Sequence, residues 1–209
     1  MHKAKKKTIS TYHKKNHTKM SNNASKYSAE DEQTSKVSAR SKSVLLYSAA
    51  FLLAELMMLF ILKANHFYPF GTKSMLIMDM RDQNVEFLAS LRSMIHGDNS
   101  LFFSWARSMG GNYMGVFAFY ISSPLSFLTL LFPVSKMPVA IEIITVLKIG
   151  LCSLTFVIYA NYLRRKYNGQ RYFALLLPAI GYAFMSYTMV YSLSIMWLDG
   201  VIFLPLVLL

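Results

Sequence analysis

The sequence predicts an all-α, multi-pass transmembrane protein, and three observations predict it. Of its 209 residues 54% are hydrophobic and only 15% charged, where soluble domains carry about a quarter. The apolar residues gather after residue 43 in blocks of the length, about 20 residues, that carries a helix across a hydrocarbon core. The chain's formal charge of +12 is concentrated before the first block, which orients a chain entering a membrane.

Residues 1–43 read as a disordered, basic cytosolic tail, because Lys, Ser, Thr, Asn and Ala dominate and no apolar period appears. Eleven Lys or Arg stand there against Glu30, Asp31 and Glu32, +8 of the total. No aromatic interleaving accompanies them, so membrane lipids of the inner leaflet, and no nucleic acid, are the expected partners. His13 and His17 have the spacing of two ligands on a helix face, but with no acid or cysteine close by they read as solvated. The single Cys152 allows no intrachain disulfide.

Val44–Leu62 is the first expected span, a signal anchor with Glu55 its one charge. With the tail retained in the cytosol of a cell membrane, residues 63–138 become an exterior loop. Val139–Leu163 is the next span, and Arg164, Arg165, Lys166 and Arg171 after it mark a cytosolic turn. Tyr172–Leu193 returns outward, so Trp197-Leu198-Asp199-Gly200 falls at the outer interface. The apolar run from Val201 is still open at Leu209, and the expectation is the truncated N-terminal part of a longer membrane domain. Val116–Phe132, broken by Ser122-Ser123-Pro124, would reverse these sides if it spanned fully, so it reads as a re-entrant or interfacial helix pair.

Within the loop, Val85, Leu88, Leu91 and Ile95 share one face of an expected helix over 82–96, closed by Gly97 and lying apolar face down on the outer membrane surface. Asp79 and Asp82 stand at its head. Asp79 follows the apolar run Met75-Leu76-Ile77-Met78, near the level of a lipid-linked reacting group; it suits a general base, a ligand for a divalent cation, or a helix N-cap. Asp82 is the better placed as a cap. Arg107, before Gly110-Gly111, could meet a phosphate or sit in a plain turn. Inside the spans, Glu55 and Lys148 come to similar depths, about 10–14 Å below the outer end. Either they pair, or Lys148 reaches a lipid phosphate. Glu142, one turn in, is expected to reach interfacial water.

Five ordered motifs carry a family resemblance: Met78-Asp79-Met80-Arg81-Asp82-Gln83, Gly110-Gly111-Asn112, Tyr120-Ile121-Ser122-Ser123-Pro124 with Leu130-Leu131-Phe132-Pro133, Leu147-Lys148-Ile149-Gly150-Leu151, and Met196-Trp197-Leu198-Asp199-Gly200. Together, from about residue 44 onward, they resemble the bacterial YfhO-type membrane proteins, which look like glycosyltransferases of the GT-C class. The resemblance implies transfer of a sugar from an undecaprenyl-phosphate-linked donor to a wall polymer such as lipoteichoic acid on the outer face. It implies catalysis by Asp79, with Asp82 second. Arg107, Lys148 and Asp199 are the substrate- or phosphate-binding candidates, and a divalent cation at Asp79 is the one cofactor entertained. A flippase or transporter subunit, with Lys148 and Glu55 marking a passage, and an inactive truncated fragment are the alternatives.

Overall fold

The computed structural model describes residues 37–97, 100, 102–105, 109–167, 169 and 171–209. Most of the expected tail, with His13 and His17, and also Arg107 lie outside the described residues. The chain divides into two compact units, Met1–Leu45 and Leu46–Leu209. Of the first, residues 37–45 are helical; Ser43 Oγ donates to the Ala39 carbonyl at 3.0 Å. Seven residues expected in the tail, 37–43, are therefore helix. They open helix α1, Val37–Ala64, which is 28 residues long, about 42 Å against a hydrocarbon core of about 30 Å.

The second unit is built around α4, Met137–Lys166, whose 30 residues carry Pro138 in the first turn and Arg164, Arg165 and Lys166 in the last. Proline costs nothing where no intrahelical donor is needed, and the cations complement the helix dipole. The helix threads three apolar clusters in turn. Met137 and Ile141 join the loop residues Met80, Leu88, Leu91 and Ile121. Ile149 and Cys152 meet Ala54, Met58 and Leu62 of α1. Val157 meets Leu46 and Ala50. Small residues let the backbones approach: Ser153 Oγ donates to the Ala50 carbonyl at 2.9 Å, and a Cβ on Gly150 would lie 2.8 Å from the Phe51 ring and 2.9 Å from Glu55 Cγ.

The expected surface helix is α2, Val85–Ile95, preceded by a wide π turn over Met80–Asn84. The middle of its apolar stripe is covered by the chain itself, while Ile95 at its end is 52% exposed. Leu88 and Leu91 are 2% and 3% exposed, covered by Val116, Ile121, Met137 and Ile141 of the same chain, because protein side chains pack an apolar face as effectively as lipid does. Helix α3, Met114–Val116, runs on through a π turn to Ile121, and after Ser122-Ser123 a 3₁₀ helix, Pro124–Leu131, leaves at 98°. Each arm has eight residues, about 12–16 Å, too short to cross alone. Arg92 of α2 donates to the Leu130 and Phe132 carbonyls at 2.6 and 2.8 Å, supplying the partners that the last carbonyls of the second arm lack.

The stretch expected as one span, 172–193, is broken. A 3₁₀ turn and α5, Leu176–Ala183, end at Phe184, Met185 is extended, and α6, Ser186–Tyr191, begins anew. Thr188 Oγ1 donates to the Tyr182 carbonyl across the break at 3.3 Å. Helix α7, Trp197–Val207, contains Pro205, which has no amide proton for the carbonyl four residues earlier. That carbonyl, of Val201, instead accepts from the Tyr182 hydroxyl at 2.7 Å. Among the described residues two helices, α1 and α4 with its leading turn, are long and apolar enough to cross a membrane, or three if the bent pair counts as one span.

Candidate functional site

Asp79 stands at the end of the loop that joins α1 to α2. Met78 before it takes a positive φ of 50°, a conformation costly for a long side chain, and the turn leaves Asp79 exposed at the head of the π turn. Its side chain caps no backbone amide; Oδ1 accepts from Gln83 Nε2 at 3.0 Å. Asp82 does not cap the helix either. It pairs with Arg81 Nε at 2.8 Å, both side chains more than half exposed, and its hydrogen bond and charge raise the Arg81 pKa further above its usual value. Among the described residues no three His, Cys, Asp or Glu side chains gather to hold a metal ion, so a divalent cation at Asp79 would draw few protein ligands.

The buried charges pair otherwise than their depths suggested. Lys148 is 0% exposed, and its Nζ donates to Asp199 Oδ2 and to the Ile195 carbonyl, both at 2.8 Å. Ser123 Oγ at the bend of the helix pair donates to Asp199 Oδ1 at 3.0 Å. A Glu55–Lys148 pair is therefore corrected to Lys148–Asp199. A phosphate would have to displace Asp199 to reach the lysine. The reason is the path of the chain: the break after α5 and the turn at 192–196 let α7 begin level with Lys148, eleven residues into α4, or about 17 Å along it. Asp199 lies in the first turn of α7, where the helix dipole favours a carboxylate. Its side chain keeps 22% of its surface toward a pocket of about 210 Å³ lined also by Phe119, Ser122, Ser123 and Phe203.

Glu55 faces a different space, a cleft of about 370 Å³ between α1 and α4 lined by Leu59, Tyr68, Pro69, Glu142, Ile143 and others. Its Oε1 is buried and has no hydrogen-bond partner among the described residues. Glu142 is 7% exposed, lies against the Met75 amide of the loop and lines the same cleft. The loop closes one end of the cleft: Tyr68 N donates to the Lys73 carbonyl and Lys73 N to the His66 carbonyl, at 2.8 and 3.1 Å. Gly71 is required there, since a Cβ would strike the His66 carbonyl.

These arrangements fall within the span of one family model, described as bacterial membrane protein YfhO, which matches residues 49–209. The chain belongs to the YfhO family. No curated protein and no solved structure gives a match. Four of the five motifs set out above thereby gain a location in this YfhO-family membrane protein. Asp79 sits on the exposed loop corner, Ser123 at the bend, Lys148 at the centre of α4 and Asp199 at the start of α7; the last three converge, and Asp79 lines neither cavity. The fifth, Gly110-Gly111-Asn112, pairs with Ser104 through two backbone bonds of 2.9 and 3.0 Å between Ser104 and Gly111. Ser123 and Arg92 are the contributors that sequence reasoning missed. A serine before a helix-starting proline reads as a turn, and a lone arginine on an amphipathic helix as solvated, so neither carried a signal of its partner.

Proposed function

We propose that this YfhO-family chain carries the donor-side part of a membrane glycosyltransferase, which moves a sugar from a polyprenyl-phosphate donor to a hydroxyl of a wall polymer on the outer face of the cell membrane. The observation that carries the reading is Asp79: an exposed carboxylate on a strained corner, bonded among the described residues to Gln83, four residues beyond the Met75 amide that adjoins the apolar cleft. Asp79 takes the proton from the acceptor hydroxyl as its oxygen attacks the anomeric carbon. The bond from that carbon to the phosphate oxygen breaks, and polyprenyl phosphate leaves with the electron pair. The branched, flexible prenyl chain fits the apolar wall of the cleft in character. Arg107 is assigned to the leaving phosphate from its place in the sequence. Asp82, spent on Arg81, acts through the loop's charge rather than on the reacting atoms.

Replacement of Asp79 by Asn in the intact polypeptide tests this. The amide keeps the Gln83 bond but has no basic oxygen, so sugar transfer from a labelled polyprenyl-phosphate donor should fall by about 10²–10⁴-fold at equal membrane abundance. Transfer within a few-fold of the parent would remove Asp79 from the chemistry.

A further inference from the structure

The pocket beside Asp199 is walled by groups of two kinds. Polar groups come from the bend of the helix pair: the Ser122 and Ser123 hydroxyls, with the free surface of the Asp199 carboxylate opposite. Aromatic faces supply the rest. Phe119 is 54% exposed and Phe203 50% exposed. The Phe119 ring stands at 87° to that of Trp197, 6.3 Å between centroids, and Trp197 in turn lies 5.8 Å from Tyr191. Among the described residues the cation in contact with Asp199 is Lys148, which is fully buried behind it. The pocket therefore presents a fixed negative acceptor, hydroxyls and exposed rings.

Such a set discriminates by chemistry. An anion meets the Asp199 carboxylate without access to the lysine. A purely apolar group leaves the exposed part of that carboxylate without a donor, while the Ser122 hydroxyl already donates to the Ala118 carbonyl at 2.8 Å and can only accept from a ligand. A neutral polyol ring satisfies both walls, its hydroxyls donating to Asp199 and its C–H face lying on an aromatic ring, whose face is electron-rich. We infer that this pocket is a subsite for one sugar ring, read by Asp199 and stacked on Phe119. Lys148 is a positioning residue that holds the Asp199 carboxylate in place through its 2.8 Å contact. The inference rests on the glycosyltransferase reading only for the source of the sugar, donor or acceptor.

The test uses the full chain in detergent micelles, with Trp105→Phe so that Trp197 is the sole indole, and titrates methyl glycosides of glucose, galactose and N-acetylglucosamine, then the same sugars as 1-phosphates. Saturable change in Trp197 emission and in calorimetric heat is expected for at least one sugar, weakened about tenfold by Phe119→Ala, a change at an exposed ring. Ser122→Ala should weaken it less. Asp199→Asn should abolish it; if that protein fails to fold, Phe119→Ala and Ser122→Ala carry the test. Preference for the 1-phosphate identifies the donor's sugar, and rejection of it the acceptor's. Absence of saturable binding by every sugar, or binding that Phe119→Ala and Ser122→Ala leave unchanged, overturns the subsite. A chain that binds sugar but transfers none would fail as an enzyme while keeping the subsite, and one that transfers without this binding the reverse.

Discussion

Asp199→Ala should damage the protein more than Lys148→Met, although both break the same ion pair. Asp199→Ala strands an ammonium with 0% of its side chain exposed, left with the Ile195 carbonyl as its sole remaining partner of the two. An unpaired buried charge of this kind costs about 3–5 kcal/mol. Lys148→Met leaves a carboxylate that keeps the Ser123 bond and 22% of its surface toward an open pocket, so water replaces the lost partner. The loss is then that of one charged hydrogen bond, about 1.5–3 kcal/mol. The double change should cost about 2 kcal/mol less than the sum of the two, well above the roughly 0.6 kcal/mol of an average interhelical hydrogen bond in a membrane protein. Unfolding of the detergent-solubilised variants by sodium dodecyl sulfate, followed by far-ultraviolet circular dichroism, measures all three. Additive single losses, or a Lys148→Met protein less stable than Asp199→Ala, would refute the pairing and its asymmetry.

Gly150→Val should destabilise by about 1–3 kcal/mol through overpacking against Phe51 and Glu55, and Phe51→Ala in the same chain should return part of the loss; the same unfolding assay reads both. Arg92→Met removes donors from the Leu130 and Phe132 carbonyls and should cost about 1.5–3 kcal/mol, with Arg92→Lys intermediate, because one ammonium does not match the span of a guanidinium. Asp82→Asn breaks only an exposed pair and should shift stability by less than about 0.5 kcal/mol and leave transfer near the parent rate. In a Cys152→Ala background, cysteines at the exposed positions His96 and Tyr167 should label from opposite sides of the membrane, His96 from outside; labelling of both from one side would mean that the bent pair crosses fully.

Local pattern determined what could be read without coordinates. The two long apolar runs, the basic turn at Arg164, the 3-3-4 spacing of Val85, Leu88, Leu91 and Ile95, and the break before Pro124 are each contained within a few tens of residues, and they mark α1, α4, α2 and the bend. The family was legible too, because its motifs are linear. The partner of Lys148 was not. Depth counted from the ends of regular helices placed Asp199 at the interface and Glu55 at the level of the lysine, and that count holds only if each apolar run is one unbroken helix. The break at Phe184-Met185 voids it, and nothing local announces that break: it is sustained by Thr188 and Tyr182, the latter also serving the carbonyl that Pro205 frees in α7. The same limit applies to α2, whose stripe is apolar whether lipid or protein covers it. A sequence fixes which faces must be buried; which surface buries them, and which of several charges fifty residues apart meet, depends on where broken helices re-enter the bundle.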